Sequence, residues 1–222
     1  MTMGYFVTGT DTEVGKTWVS VGVITALKQR GLQVAAMKPV SAGCDETEQG
    51  LRNSDALWLQ RHANVALAYD QVNPYALAPP IAPHIAAGQV GVEIDVKRLR
   101  AAYSAMAAQA DCVVVEGAGG WLVPLNDRHT MADLAQALGL PVILVVGIRL
   151  GCINHALLSA EAIARSGLPL AGWVANRVDR HCEVAQANIQ AIAQRIEAPL
   201  LGEVPHLAAF DAEAVARHLA IA

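Results

Sequence analysis

A chain of 222 residues, 54% of them hydrophobic, is long enough to bury a sizeable core, and its length suits one large α/β domain spanning residues 1–222. Its net charge is −4 and its lysines and arginines are scattered, which argues against a nucleic-acid partner. No run of about 18 apolar residues goes uninterrupted, which argues against a membrane span. Cys44, Cys112, Cys152 and Cys182 form no Cys-x-x-Cys pair, and residues 1–4 carry no signal-peptide pattern, so a reduced, cytoplasmic location is expected.

In chain order, the first apolar run predicts a strand over 4–8, followed by Gly9-Thr10-Asp11-Thr12-Glu13-Val14-Gly15-Lys16-Thr17 and a helix over 16–29. A strand, a glycine-bearing loop ending in Gly-Lys-Thr and an apolar helix form a cradle for a nucleoside triphosphate. Loop N–H groups and the helix dipole face the phosphates, Lys16 can reach them, and the Thr17 hydroxyl can meet Mg²⁺. Five residues separate Gly9 from Gly15 where the general pattern has four, and the loop itself is expected to be exposed. A plain tight turn before a helix is the competing reading.

A strand over 34–38 ends in Lys38, which taken alone is an ordinary solvated charge. That strand is expected beside the first, so Lys38 should arrive at the edge that carries Lys16, and two lysines would stabilise charge in phosphoryl transfer. A helix over 54–62 follows, with Ser54 as its expected N-cap and Asp55 in its first turn. Complementing the helix dipole is a sufficient role for Asp55, and metal binding is the alternative. Residues 64–94 hold Pro74, Pro79, Pro80 and Pro83 and read as a shaped loop over the sheet edge.

Helices over 95–109, 131–138, 155–166, 182–196 and 211–219 then alternate with strands over 112–116, 142–147, 171–175 and 200–204. The continuous apolar strands and their alternation with helices predict a mostly parallel sheet flanked by helices on both faces. Gly31, Gly139 and Gly167 sit where a C′ glycine ends a helix. Glu116 closes the run Cys112-Val113-Val114-Val115-Glu116 at a strand's C-terminal end, where a carboxylate can hold Mg²⁺; a solvent-facing charge is the alternative. The small residues Gly117, Ala118 and Gly119 after it permit close backbone approach to phosphate or substrate. Gly151-Cys152-Ile153-Asn154-His155 leads into a helix whose free N–H groups could hold a carboxylate, with His155 a candidate base or a structural residue. Asn176 ends another strand and could read an adenine edge or merely serve a turn.

Together these segments resemble dethiobiotin synthetase, over nearly the whole chain. The markers are Tyr5 to Thr17, Lys38-Pro39-Val40, Asn53-Ser54-Asp55-Ala56, Val115 to Gly120, Leu150 to His155 and Ala171 to Asn176. The five-residue spacing in the phosphate loop is that family's own version. The resemblance implies a P-loop fold and an ATP- and Mg²⁺-dependent ligase of biotin biosynthesis. In that reaction 7,8-diaminononanoate takes up CO₂ as a carbamate, ATP phosphorylates it, and the second amine closes a cyclic urea. It implies that Glu13, Val14, Gly15, Lys16, Thr17 and Trp18 wrap the phosphates. Thr17, Asp55 and Glu116 face Mg²⁺, and Lys16, Lys38 and Thr12 act on carbamate and phosphoryl group. Asn176, with Arg177 beside it, holds adenine in a pocket lined by Pro205, His206 and Leu207, and Gly117, Ala118 and Gly119 join the ATP site. The family's homodimer implies that Gly151, Cys152, Ile153 and Asn154 of one subunit receive the carboxylate of substrate bound mainly by the other. The family often has Ser or Thr where this chain has Ala42; Ser41, one place earlier, is a lesser candidate substrate contact.

Two rival classes fit less well. An amide ligase of the cobyric-acid type would usually carry a glutaminase domain, for which 222 residues leave no room. A partition-type ATPase switch would carry a second lysine early in the phosphate loop, where residues 10–14 are Thr, Asp, Thr, Glu and Val.

Overall fold

The computed structural model describes residues 3–221; residues 1, 2 and 222, the ends of the expected 1–222 domain, lie outside the described residues. The chain runs β1 (Met3–Gly9), α1 (Lys16–Gln29), β2 (Val34–Met37), β3 (Val40–Ala42), β4 (Asp45–Thr47), β5 (Gly50–Arg52) and α2 (Ser54–His62). It continues through α3 (Tyr69–Val72), β6 (Tyr75–Leu77), α4 (Pro83–Gln89), α5 (Val96–Ala107), β7 (Cys112–Gly120), α6 (Met131–Leu138) and β8 (Val142–Gly147). The final elements are α7 (Cys152–Arg165), β9 (Leu170–Asn176), α8 (Ala185–Ala193), β10 (Leu200–Val204) and α9 (Ala212–Arg217).

Six strands form one parallel sheet in the order β10-β9-β8-β1-β7-β2. The alternation of strand side chains explains its two covered faces. Phe6, Val113, Val115, Leu144 and Trp173 belong to one buried cluster, whereas Val7, Cys112, Val114, Val145 and Val174 belong to the other. Helices α5 to α8 supply the first cluster, while α1, α2 and α9 supply the second. Helix α9 lies close against α1 because Gly22 leaves the space taken by Val215; a Cβ there would collide with the Val215 side chain.

Several expectations need correction. β2 pairs with β7, not β1, so a strand separates Lys38 from the phosphate loop's strand. β7 runs four residues past Glu116, placing that carboxylate within the strand and fully buried, not facing solvent. The region 64–94 is not one loop: it carries α3, β6 and α4, with β6 pairing in parallel with β3. Its short elements fall below the length at which periodicity is legible. The cap of α2 is Asn53, whose side chain accepts from the Ala56 N–H, so Ser54 is the first helical residue. α7 starts three residues earlier than expected, because Gly151 at φ 89° supplies the left-handed turn into it. Gly31, Gly139 and Gly167 do take positive φ after their helices, as expected.

Candidate active site

The loop between β1 and α1 is held in an unusual shape. Glu13 at φ 58° is the only non-glycine residue with positive φ among the described residues, and Gly15 follows at φ 82°. The Asn176 side chain lies under Gly15, so closely that a Cβ on residue 15 would collide with its amide nitrogen. That amide donates to the Val14 carbonyl at 2.9 Å. Strand β9 thus braces the loop from below, and Asn176, 6% exposed, has a structural bond beside its expected role toward adenine.

Lys16 is buried, contrary to the expected exposed loop, and its Nζ donates to the Asp11 carbonyl at 2.9 Å. Burial pushes its pKa down to about 8; the Lys38 charge pushes the same way, against Glu116. Lys38 is buried too, and donates to Glu116 Oε1 at 2.6 Å, to Asp55 Oδ2 at 3.1 Å and to the Gly117 carbonyl at 3.3 Å. Burial alone would depress its pKa, but Glu116 and Asp55 outweigh burial and hold it above the ordinary lysine value. The two lysines therefore differ: Lys38 is held above the ordinary lysine value while Lys16 is pushed down to about 8. Burial would raise the Asp55 pKa, yet Lys38 and the Thr17 hydroxyl hold it below the usual carboxylate range.

The Thr17 hydroxyl donates to Glu116 Oε1 at 2.9 Å, which brings the three expected metal-facing residues together. Glu116 Oε2 is buried without a hydrogen-bond partner. The Asp55 and Glu116 carboxylates, the latter with an unspent oxygen, and the Thr17 hydroxyl make an all-oxygen donor set of the kind that fits Mg²⁺. No cluster of three or more His, Cys, Asp or Glu side chains suited to a metal occurs among the described residues.

These groups line one cavity of about 900 Å³. Thr12, Glu13, Gly15, Lys16, Thr17 and Trp18 contribute from the loop and α1, Lys38 and Ser41 from the β2–β3 region, and Glu116, Ala118 and Gly119 from β7. The Ser41 hydroxyl donates to Asn73 Oδ1 at 2.7 Å, so it is already engaged in a structural contact. Sequence reasoning missed Trp58, which lines the cavity three residues after Asp55 on the same helical face, a spacing that could have revealed it. It also missed residues 80–83, which border the cavity from the irregular segment before α4 and from that helix's first residue. Asp11 escaped notice as well; its carboxylate pairs with Arg149 at 2.8 Å and ties the phosphate loop to the loop before α7.

The remaining expected residues are not on this cavity. Gly151, Cys152, Ile153 and Asn154 form the start of α7, with Asn154 exposed. Arg177 is tied to Glu203 and Gln186, and Pro205, half-buried, His206, exposed, and Leu207, half-buried, follow β10.

A parallel α/β sheet with a phosphate loop at the C-terminal end of its first strand defines a nucleoside-triphosphate-using class of protein. The profile of a family described as an AAA domain matches residues 3–214. The ATP-dependent dethiobiotin synthetase BioD of Pseudomonas aeruginosa is 56% identical over 216 residues, covering 97% of this chain and 95% of that protein. That of Nitrosospira multiformis is 51% identical over 222 residues, covering 100% of this chain and 96% of that protein. The chain belongs to the ATP-dependent dethiobiotin synthetase family. Among solved structures, a MinC:MinD cell division protein complex from Aquifex aeolicus superposes with a TM-score of 0.61 at 16% identity, covering 97% of this chain and 86% of that one, a likeness of fold alone.

Proposed function

We propose that this chain, as one ATP-binding domain, closes 7,8-diaminononanoate onto CO₂ to give dethiobiotin, ADP and phosphate. The observation that carries the reading is Lys38, buried between Glu116 and Asp55 in the same cavity as Lys16 and the phosphate loop. One substrate amine adds to CO₂ and loses a proton, giving a carbamate. A carbamate oxygen attacks the γ-phosphorus of ATP and ADP leaves. The second amine attacks the carbonyl carbon of the resulting anhydride, and phosphate leaves as the ring closes. The substrate supplies both nucleophiles, so the protein's work is positioning and charge stabilisation. Lys38 lies beside the anionic oxygens, Lys16 follows the transferring phosphoryl group, and loop N–H groups receive the phosphates. Thr12 lines the cavity next to them. Thr17, Asp55 and Glu116 would hold Mg²⁺, which supplies charge neutralisation on the phosphate oxygens when bound. Asn176, Arg177, Pro205, His206 and Leu207 are the proposed base-side contacts.

The reading includes a homodimer in which Gly151 to Asn154 of a second copy complete the carboxylate end of the site. Leu122 and Leu158, both well exposed, flank Thr10, Asp11 and Thr12 on one surface depression, which supports an apolar contact beside the phosphate loop. No helix among the described residues is long and apolar enough to cross a membrane. A cytoplasmic setting remains part of the proposal.

The test is phosphate release with ATP, Mg²⁺ and bicarbonate. Release should depend on both the diamine and dissolved CO₂. Equal ATP hydrolysis without the diamine, or stimulation by DNA or lipid in its place, would favour a nucleotide switch and overturn the proposal.

A second measurement separates metal binding from helix capping at Asp55. Because Asn53 already caps α2, Asp55→Asn removes a charge without removing the cap. The variant should need roughly tenfold more Mg²⁺ for half-maximal turnover. Its melting temperature should fall only modestly: dipole complementation is worth about 0.3–1 kcal/mol, and Lys38, which also loses a charge partner, keeps its shorter contact to Glu116. An unchanged Mg²⁺ dependence with a lowered melting temperature would assign Asp55 to the helix dipole and its ion pair with Lys38, not to the metal.

A further inference from the structure

We infer that Trp18 and Trp58, backed by Phe210, form an aromatic wall that carries a face of the nucleotide's base and is insensitive to which base it is. The inference rests on the proposed nucleotide site and adds to it the determinant of affinity at the nucleoside end.

Both tryptophans line the same cavity as the two lysines. Trp18 directly follows Thr17, and Trp58 stands one helical turn beyond Asp55, so each lies immediately past a residue of the phosphate and metal end. A triphosphate held at the loop therefore leads its nucleoside outward past these rings. The rings form one continuous cluster built from three parts of the chain. Phe210 packs against Trp18, ring centroids 5.2 Å apart, and meets Trp58 edge-on at 4.7 Å. His62 stacks on Trp58 at 5.3 Å, one turn further along α2.

This packing fixes the Trp58 ring while leaving the residue 37% exposed at the cavity. The Arg61 guanidinium lies over the ring, 5.7 Å from its centroid, and the part of the ring still open to the cavity can take a flat apolar ligand face. A nucleobase fits: it is flat, it stacks on indole, and it is already tethered by its phosphates. Phe210 belongs to the segment that also carries Pro205, His206 and Leu207, so the stretch proposed to touch the base's edge also buttresses the rings proposed to carry its face. Edges distinguish bases by their donors and acceptors; faces do not, because every base has a π-face.

The test compares Mg·ATP, Mg·GTP and Mg·tripolyphosphate binding by calorimetry in wild type, Trp58→Leu and Trp58→Phe. Leucine keeps an apolar side chain without a π-face. Trp58→Leu should weaken ATP and GTP by the same factor, roughly tenfold, and leave tripolyphosphate unchanged. Trp58→Phe should recover most of the loss. Trp18→Leu makes the same comparison from α1 and replaces Trp58→Leu should that variant not fold. Unchanged ATP binding with intact tripolyphosphate binding would overturn the wall and leave the phosphate site standing. Equal weakening of tripolyphosphate would mean that Trp58 acts through Asp55, and loss of ATP but not GTP would mean edge recognition; either overturns the inference. Failure of all three ligands to bind wild type would overturn the nucleotide site itself, and the wall with it.

Discussion

Lys16→Gln should lower turnover by roughly a hundredfold or more while leaving the fold intact. In the proposed mechanism the ammonium follows charge onto the transferring phosphoryl oxygens, and a neutral amide cannot replace it. Stability should hold despite the burial of Lys16. Glutamine can still donate to the Asp11 carbonyl, and the substitution removes a charge that burial and Lys38 already disfavour. The same argument gives a pH signature. Lys16 is held to about pKa 8, so its charge is present below that pH and is lost as pH rises through it. Mg·ATP affinity, measured without diamine so that the substrate amines do not titrate, should decline above pH 8 in the wild type. The Gln variant should lack that inflection. Lys38 should contribute none, because Glu116 and Asp55 keep it charged well beyond that range. Turnover within about threefold of wild type, or an inflection surviving in Lys16→Gln, would remove Lys16 from the catalytic set.

The strands and helices of the main sheet were legible because their signals are local. Cys112-Val113-Val114-Val115, continuous and mostly β-branched, reads as a strand covered on both faces, and Gly139 marks where α6 stops. Strand order was not legible in the same way. Nothing in Val34-Ala35-Ala36-Met37 says that β7, closed much later in the chain, will separate it from β1. The expected meeting of Lys38 with the phosphate loop came about through Glu116 on that intervening strand: Thr17 and Lys38 both donate to its Oε1. The cluster of Trp18, Trp58, His62 and Phe210 was hidden for a related reason. Its members come from α1, α2 and the approach to α9, and only the packing of α9 on α1 brings Phe210 to the other two. Ser41 shows the opposite case, where a residue type suited to substrate turned out to be bonded to Asn73 by the fold of the β3–β6 pair.

Two inactive variants should restore activity to each other if the site is shared between subunits. In the proposed dimer each site takes Lys38 from one chain and the start of α7 from the other. Lys38→Gln is preferable to alanine, because truncation would leave Glu116, 0% exposed, with no neighbouring donor at Lys38's position, and a buried charge stripped of its partner costs about 3–5 kcal/mol. The amide keeps a donor and loses the charge that the proposed phosphoryl transfer uses. Asn154→Asp places a carboxylate at an exposed helix start, where it suits the dipole and so should not harm the fold, but where it repels the carboxylate of the substrate. Each homodimer should be nearly inactive. When the two are unfolded and refolded together in equal amounts, about half of the dimers should be mixed, and each mixed dimer holds one site with both lesions and one with neither. Activity should return to roughly a quarter of wild type, given random pairing and independent sites. A site contained within one chain would keep one lesion everywhere, and nothing would return. That result, obtained with mixed dimers demonstrated and both parents inactive, would place the carboxylate end of the site on the same chain as Lys38 and remove the dimer from the mechanism.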